Sequence, residues 1–307
     1  MKTFGEKERA CELSFQKNGP FWHIYTDGGI MADIFTNEVE FREGMITLAV
    51  CATLYNKAEL ITFILMNNHI HFIMRGSRED CLELFHIFKL RLMRRWRDFG
   101  RPIDWTKFEA QILRIESLRA LRNEIAYVHR NAYVANPNYS PFNYPWSGGV
   151  AYFTPIINLL PAISVRNLKT RVARDLTHYR DIMDLEGLYF VDKSPHIPSF
   201  CRIDIGESVF PDARHYFLIS GRNAEAFSQI ASRLKDIVFL TDDEIYVVAV
   251  KYSEEMFSQK LHLLSPEQRI ELARKLHFEF NASNRTLRRI LGLEIRVLDE
   301  LFPRVSS

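Results

Sequence analysis

The chain has 307 residues, 47% of them hydrophobic, which is enough to bury a substantial core, and its length favours more than one domain. A formal charge of +2 is too mild to indicate nucleic-acid binding by itself, so any positive surface must come from local clustering. The four cysteines, Cys11, Cys51, Cys81 and Cys201, lie far apart and form no C-x-x-C pair; this argues against a zinc ribbon or a dithiol redox site and fits a reducing compartment.

The first residues, MKTFGEKERACELSF, are charged and lack the apolar core of a signal peptide. No run approaches the ~20 apolar residues of a membrane span, so a soluble, cytoplasmic protein is expected. FWHIYT at 21–26 reads as a strand and Gly28-Gly29 as a turn. Asn37 is an N-cap candidate for a helix carrying Val39, Phe41, Met45, Leu48 and Ala52 at helical spacing. ELITFILM at 59–66 and HIHFIMRG at 69–76 are apolar, β-prone runs separated by Asn67-Asn68. Asn tolerates positive φ, so a two-residue hairpin turn is predicted.

After Ser77 a helix over roughly 79–98 places Leu82, Phe85, Phe88, Leu92 and Trp96 on one face. A strand is predicted at 108–115 and a helix at 116–131, with Leu118, Leu121, Ile125 and Val128 as its apolar positions. Three prolines within NPNYSPFNYPWSGG at 136–149 stop regular structure and mark a domain boundary near 150. The order strand, helix, hairpin, helix, strand, helix predicts an α+β sandwich, a ferredoxin- or RRM-like antiparallel sheet with helices on one face.

Residues 151–264 read as an α/β extension, with a helix near 164–180 and a strand at 245–251 (IYVVAVK). Over 265–307, Ser265-Pro266 opens a helix through 279, Ser283 caps a second through 291, and Gly292 precedes a third ending near Phe302. Three short helices in this order suggest a helix-turn-helix-like unit at the end of a mainly helical extension.

Residues two apart on a strand share a face, so His69 and His71 point the same way and make a metal half-site whose remaining ligands must come from another element. The bland alternative is two histidines on a polar sheet face. Tyr127 and Asn131 are four apart on the helix, one turn from each other, where an Asn carbonyl oxygen can complete a metal site beside a phenol. A phenol of ordinary pKa ~10 is a poor nucleophile, and a cation that polarises a phosphate makes the phosphorus easier to attack. Taken alone, Tyr127 reads as a half-buried aromatic with a satisfied hydroxyl.

WHIYTDGG at 22–29, FILMNNHIHFIMRG at 63–76 and AYVHRNAYVANPNYSPFNYPWSG at 126–148 together resemble the HUH single-tyrosine transposases, and more closely their REP-associated branch. The resemblance covers nearly the whole first domain in the right order. It implies that His69 and His71 bind a divalent ion, Mg²⁺ or Mn²⁺, that Tyr127 is the nucleophile, and that Asn131 contributes to the metal site. The family commonly has Pro where Asn67 and Ala132 stand here; neither departure removes a reacting group. The implied reaction is a transesterification on single-stranded DNA folded as a hairpin, leaving a 5′-phosphotyrosine and a free 3′-hydroxyl. No G-x-x-x-x-G-K-[ST] loop is present, in keeping with a reaction that needs no nucleotide.

For the grip on DNA, Lys89, Arg91, Arg94, Arg95, Arg97 and Arg101 fall within thirteen residues, with Trp96 and Phe99 between them, a composition suited to phosphate contacts and base stacking. The alternative is a solvated cationic face with Trp96 in the core. In the last segment Arg285, Arg288 and Arg289 crowd the second helix, while the third carries Glu294, Asp299 and Glu300 beside Arg296, which argues against ordinary major-groove reading. Two rival functions stand beside the transposase-like one: an idle DNA- or RNA-binding regulator that keeps the fold, and a metal-dependent hydrolase in which water attacks. A homodimer is left open.

Overall fold

A computed structural model describes residues 3–28, 32–135, 139–222 and 240–303, together with 227, 230, 231, 233 and 234. Gly29 and residues 136–138, to which a turn and a loop were assigned above, lie outside the described residues. The chain forms two compact units, Met1–Ser220 and Gly221–Ser307.

The first unit is α+β. Its main sheet comprises β1 (Phe21–Tyr25), β2 (Glu59–Leu65), β3 (Ile70–Arg75) and β4 (Gln111–Ile115), in the order β2-β3-β1-β4, with every neighbouring pair antiparallel. Helix α1 (Phe4–Asn18) precedes β1, α2 (Glu38–Leu54) joins β1 to β2, α3 (Arg78–Asp98) joins β3 to β4, and α4 (Leu118–Ala135) follows β4. The helix starts follow from their caps. Asn37 Oδ1 accepts from the amides of Val39 and Glu40, and Ser77 from that of Asp80. Helix α1, for which no element was assigned above, opens on a capping box between Thr3 and Glu6.

The β2–β3 hairpin turns at Asn67-Asn68, closed by the Met66 amide on the His69 carbonyl at 2.9 Å. Neither asparagine has a positive φ, so αL tolerance is not what selects them. Their polar groups bind neighbouring chain: the Asn67 carbonyl accepts from the amides of Ile34 and Phe35, and Asn68 Nδ2 donates to the Gly28 carbonyl at 2.7 Å.

Strand pairing sets the two faces. Tyr25 lies opposite His71 and Gln111, and His23 opposite Ile73, so His23, Tyr25 and His71 share one face and Ile24 and Phe72 the other. Helix α3 packs on the Phe72 face, where Phe88 meets Phe72 with ring centroids 5.5 Å apart. Helix α4 packs on the histidine face, through Glu124 to His23 and His129 to Thr62. The expectation that the helices lie on one face is therefore corrected for α4. Its reason is visible in β2 and β3, which are buried almost without interruption and so need cover on both sides.

Residues 151–220 belong to this unit. The Tyr152 hydroxyl donates to the Ile61 carbonyl at 3.0 Å, and the Arg202 amide to the Leu60 carbonyl at 2.7 Å. The compact break thus falls at 220, where the proline-rich stretch suggested 150. This stretch holds a small antiparallel sheet of β5 (Ile163–Ser164), β6 (Tyr189–Val191) and β7 (Ser194–Pro195), and helices α5 (Thr170–Thr177), α6 (Ile203–Ser208) and α7 (Ala213–Arg222). Of the helix predicted at 164–180, only 170–177 is α-helical. No side chain caps its start, and His178 ends it in the left-handed region at φ 50.

The second unit contains α8 (Asp242–Phe257), α9 (Pro266–Phe280), α10 (Asn284–Leu291) and α11 (Ile295–Leu301). The strand predicted at 245–251 is instead the middle of α8. A capping box of Thr241 and Glu244 starts the helix, and tertiary packing overrides the β preference of the IYVV run. The last three helices follow the predicted caps at Ser265 and Ser283 and the left-handed Gly292 at φ 66. They bury Leu272, Leu276, Leu287, Leu291 and Leu298. No helix among the described residues is long and apolar enough to cross a membrane, and all four cysteines are buried free thiols.

Candidate active site

His69 closes the hairpin turn one residue before β3, and His71 is the second residue of that strand. Their ring centroids are 5.1 Å apart with planes at 85°. Helix α4 buries its apolar positions Leu121, Ile125 and Val128 and lays Tyr127 against His71, the rings 5.7 Å apart at 89°. The structure therefore brings three of the four predicted residues together. Asn131 sits one turn further along the same helix face. Its Nδ2 donates to the Tyr127 carbonyl at 3.1 Å, and its Oδ1 is buried with no hydrogen-bond partner among the described residues. A buried carbonyl oxygen left in that condition costs about 1–3 kcal/mol, so it needs a reason. Tyr127 is 1% exposed and Asn131 2%. In this closed arrangement a phosphodiester has no open path to the phenol.

Hydrogen bonds fix the His69 ring. Asn68 Nδ2 is committed to the Gly28 carbonyl, so Asn68 Oδ1, at 2.8 Å from His69 Nδ1, can only accept. His69 Nδ1 must therefore carry the proton, and in the neutral ring the lone pair lies on Nε2. Gly28 is needed for this approach, because a Cβ there would stand 2.6 Å from His69 Nδ1.

Two residues of the site were not singled out from the sequence. His23 on β1 places Nε2 at 3.1 Å from His71 Nδ1, and its own Nδ1 lies 2.8 Å from Glu124 Oε2 on α4. His23 is 0% and Glu124 2% exposed. The available signal was spacing: Glu124, Tyr127 and Asn131 stand at i, i+3 and i+7, on one helix face. Two histidines and one amide oxygen are not a cluster of three acidic, thiol or imidazole ligands, and among the described residues no such cluster occurs.

Further along α4, His129 is fully buried between the Thr62 hydroxyl at 2.6 Å and the Tyr216 hydroxyl at 2.7 Å. Burial pushes its pKa down to about 3 and pushes the Tyr216 phenol up. Arg122 donates to the Val209 carbonyl and to both oxygens of Glu8, and Arg130 donates to the Ser220 carbonyl. Polar anchors at three points along the helix thus hold α4 in place.

The cations of α3 lie with that helix on the opposite side of the sheet from Tyr127. Lys89 is paired with Glu109 and Arg95 with Glu43. Arg91 stacks over Tyr179 at 5.1 Å. Arg101 bonds Glu40 and the Asp33 and Ile34 carbonyls; burial raises the Glu40 carboxyl, but Arg101 and Thr36 outweigh it and pull the pKa below its ordinary value. Trp96 is fully buried, with its indole nitrogen on the Ile34 carbonyl, so it cannot stack on a base. Arg94 and Arg97 are exposed and line a groove of about 680 Å³ with Leu90, Met93, Ile103 and Trp105. In the second unit Arg285, Arg288 and Arg289 are exposed on α10, and Arg289 is paired with Asp242. Compared with known protein families, curated proteins and solved structures, the chain has no match.

Proposed function

We propose that this chain is a metal-dependent single-stranded DNA endonuclease and strand transferase in which Tyr127 is the nucleophile. The observation that carries the reading is the orphaned Oδ1 of Asn131, buried one turn beyond a tyrosine whose ring packs on His71. His69 Nε2, His71 Nε2 and Asn131 Oδ1 would hold a cation, which would give that oxygen a partner, and the His69 tautomer would present the required lone pair. Mg²⁺ or Mn²⁺ bound there would polarise a phosphate oxygen and stabilise charge developing at phosphorus.

The remaining steps belong to the protein. The Tyr127 oxygen forms a bond to phosphorus while the bond from phosphorus to the 3′-oxygen breaks. The phenol proton is lost, the departing 3′-oxygen takes one up, and the 5′-phosphate stays on Tyr127. Attack by another 3′-hydroxyl reverses the step and joins a new end, so no nucleotide is consumed. Because Tyr127 is buried, catalysis requires a rearrangement that exposes the phenol to the strand.

The strand order β2-β3-β1-β4 with crossover helices supports a ferredoxin-like sandwich, and the capped helices α9 and α10, followed by α11 after the left-handed Gly292, support a helix-turn-helix-like unit. Arg94, Arg97, Arg285 and Arg288, being exposed, are the cations suited to phosphate. The expected substrate is a DNA hairpin, in a cytoplasmic protein.

The burial of Tyr127 favours one rival, a metal-dependent hydrolase in which water attacks and the tyrosine only packs. Incubation with a pool of labelled single-stranded hairpins and Mn²⁺ separates the two. We expect a denaturation-resistant adduct that disappears in Tyr127→Phe, whose phenyl ring keeps the packing. Cleavage that survives the substitution establishes the hydrolase. Binding with neither adduct nor cleavage points to an idle regulator.

A further inference from the structure

We infer that Glu124 and His23 are positioning residues that set the tautomer of His71 and so prepare its Nε2 to take a cation; this rests on the reading of His71 as a ligand. An ionised carboxylate only accepts, so across the 2.8 Å contact to Glu124 Oε2 it is His23 Nδ1 that carries the proton. In the neutral ring His23 Nε2 then bears the lone pair, and across 3.1 Å it accepts from His71 Nδ1. The last ring in the chain is left with its own lone pair on Nε2.

The same outcome is reached by an independent route at His69, where Asn68 and the Gly28 carbonyl fix the proton on Nδ1. Two unrelated chains of hydrogen bonds, one ending on a carboxylate and one on a backbone carbonyl, therefore leave both imidazoles in the form that ligates a metal. A fold-stabilising role alone does not account for this. A buried Glu–His pair gives little net stability over apolar residues of similar volume, and here the pair is extended by a third ring. Carboxylate–histidine chains behind a ligating imidazole raise its basicity and hold its orientation.

The test is Mn²⁺ binding to the full chain, followed by the Mn²⁺ electron paramagnetic resonance signal, for the wild type, Glu124→Gln and His23→Phe. The expected result is an affinity about 10–100-fold weaker in both variants, with circular dichroism unchanged. A long-range ¹⁵N–¹H spectrum of the metal-free wild type reads the tautomer directly and needs no variant to fold. His71 with its proton on Nδ1, shifting towards Nε2 in His23→Phe, which removes the acceptor, supports the inference. His71 protonated on Nε2 in the wild type overturns it, as does wild-type affinity in both variants. If the wild type itself takes up no Mn²⁺, the parent reading of the site falls and this inference with it.

Discussion

Helices α3 and α4 are both long, both amphipathic, and cover opposite faces of one sheet, yet they bury opposite kinds of residue. Helix α3 turns Leu84, Phe85, Phe88, Leu92 and Trp96 inward, and its cations are exposed or paired. Helix α4 buries Arg122, Glu124, His129, Arg130 and Asn131 along with its leucines and isoleucine. A run of surface arginines is what most helices use for solubility and needs no explanation. Five polar side chains under one helix each need partners, and together they point to chemistry more strongly than the denser charge on α3.

Substitutions on the two helices should therefore differ in kind. The largest effect on stability is expected at His129, which joins α4 to β2 and to α7. His129→Ala removes the bonds to the Thr62 and Tyr216 hydroxyls and leaves a cavity between them, and should lower stability by about 2–4 kcal/mol, measured as a fall in urea midpoint. The same residue sets an acid limb. The folded protein keeps His129 neutral down to about pH 3, whereas the unfolded chain takes up its proton near 6.5. The unfolded state thus binds more protons in that window, and stability should fall by up to about 1.4 kcal/mol per pH unit between roughly 6 and 3. His129→Gln should flatten this slope in a urea series against pH.

At Asn131 the expected signs are opposed. Asn131→Leu removes the orphaned oxygen and should leave the metal-free protein as stable as the wild type or more so by about 1 kcal/mol, while weakening Mn²⁺ uptake at least tenfold. Loss of stability with unchanged Mn²⁺ binding would make the residue structural and narrow the contrast between the helices. The smallest effect is expected on α3. Arg94→Ala with Arg97→Ala should change stability by less than about 0.5 kcal/mol. In a titration of single-stranded DNA binding against salt, the same pair should make the slope shallower by about 0.7 for each phosphate that an arginine no longer neutralises.

The contrast also explains what could be read in the sequence. His69 and His71 were legible because a strand run and a two-residue spacing place them on one face, and Tyr127 with Asn131 because four residues make one helical turn. The terminal helices were legible because Ser265, Ser283 and Gly292 are local punctuation. Glu124 was not, since an isolated glutamate in a helix is ordinarily solvated and only β1 packing against α4 buries it. Trp96 among a lysine and five arginines within thirteen residues looked like a nucleic-acid surface, but whether a tryptophan faces base or core is decided by the chain at Ile34, which sequence periodicity does not locate. The IYVV run at 245–248 misled for the same reason: its β preference is local, and the helix that overrides it is set by a capping box and by the neighbours of Ile245 and Val248.

Whether His69, His71 and Asn131 hold a cation against Tyr127 is decided by anomalous scattering from crystals soaked in Mn²⁺. A single strong peak is expected at coordinating distance from Nε2 of both histidines and from Oδ1 of Asn131. A saturated soak with no peak there, or with manganese bound only to surface carboxylates, would contradict it.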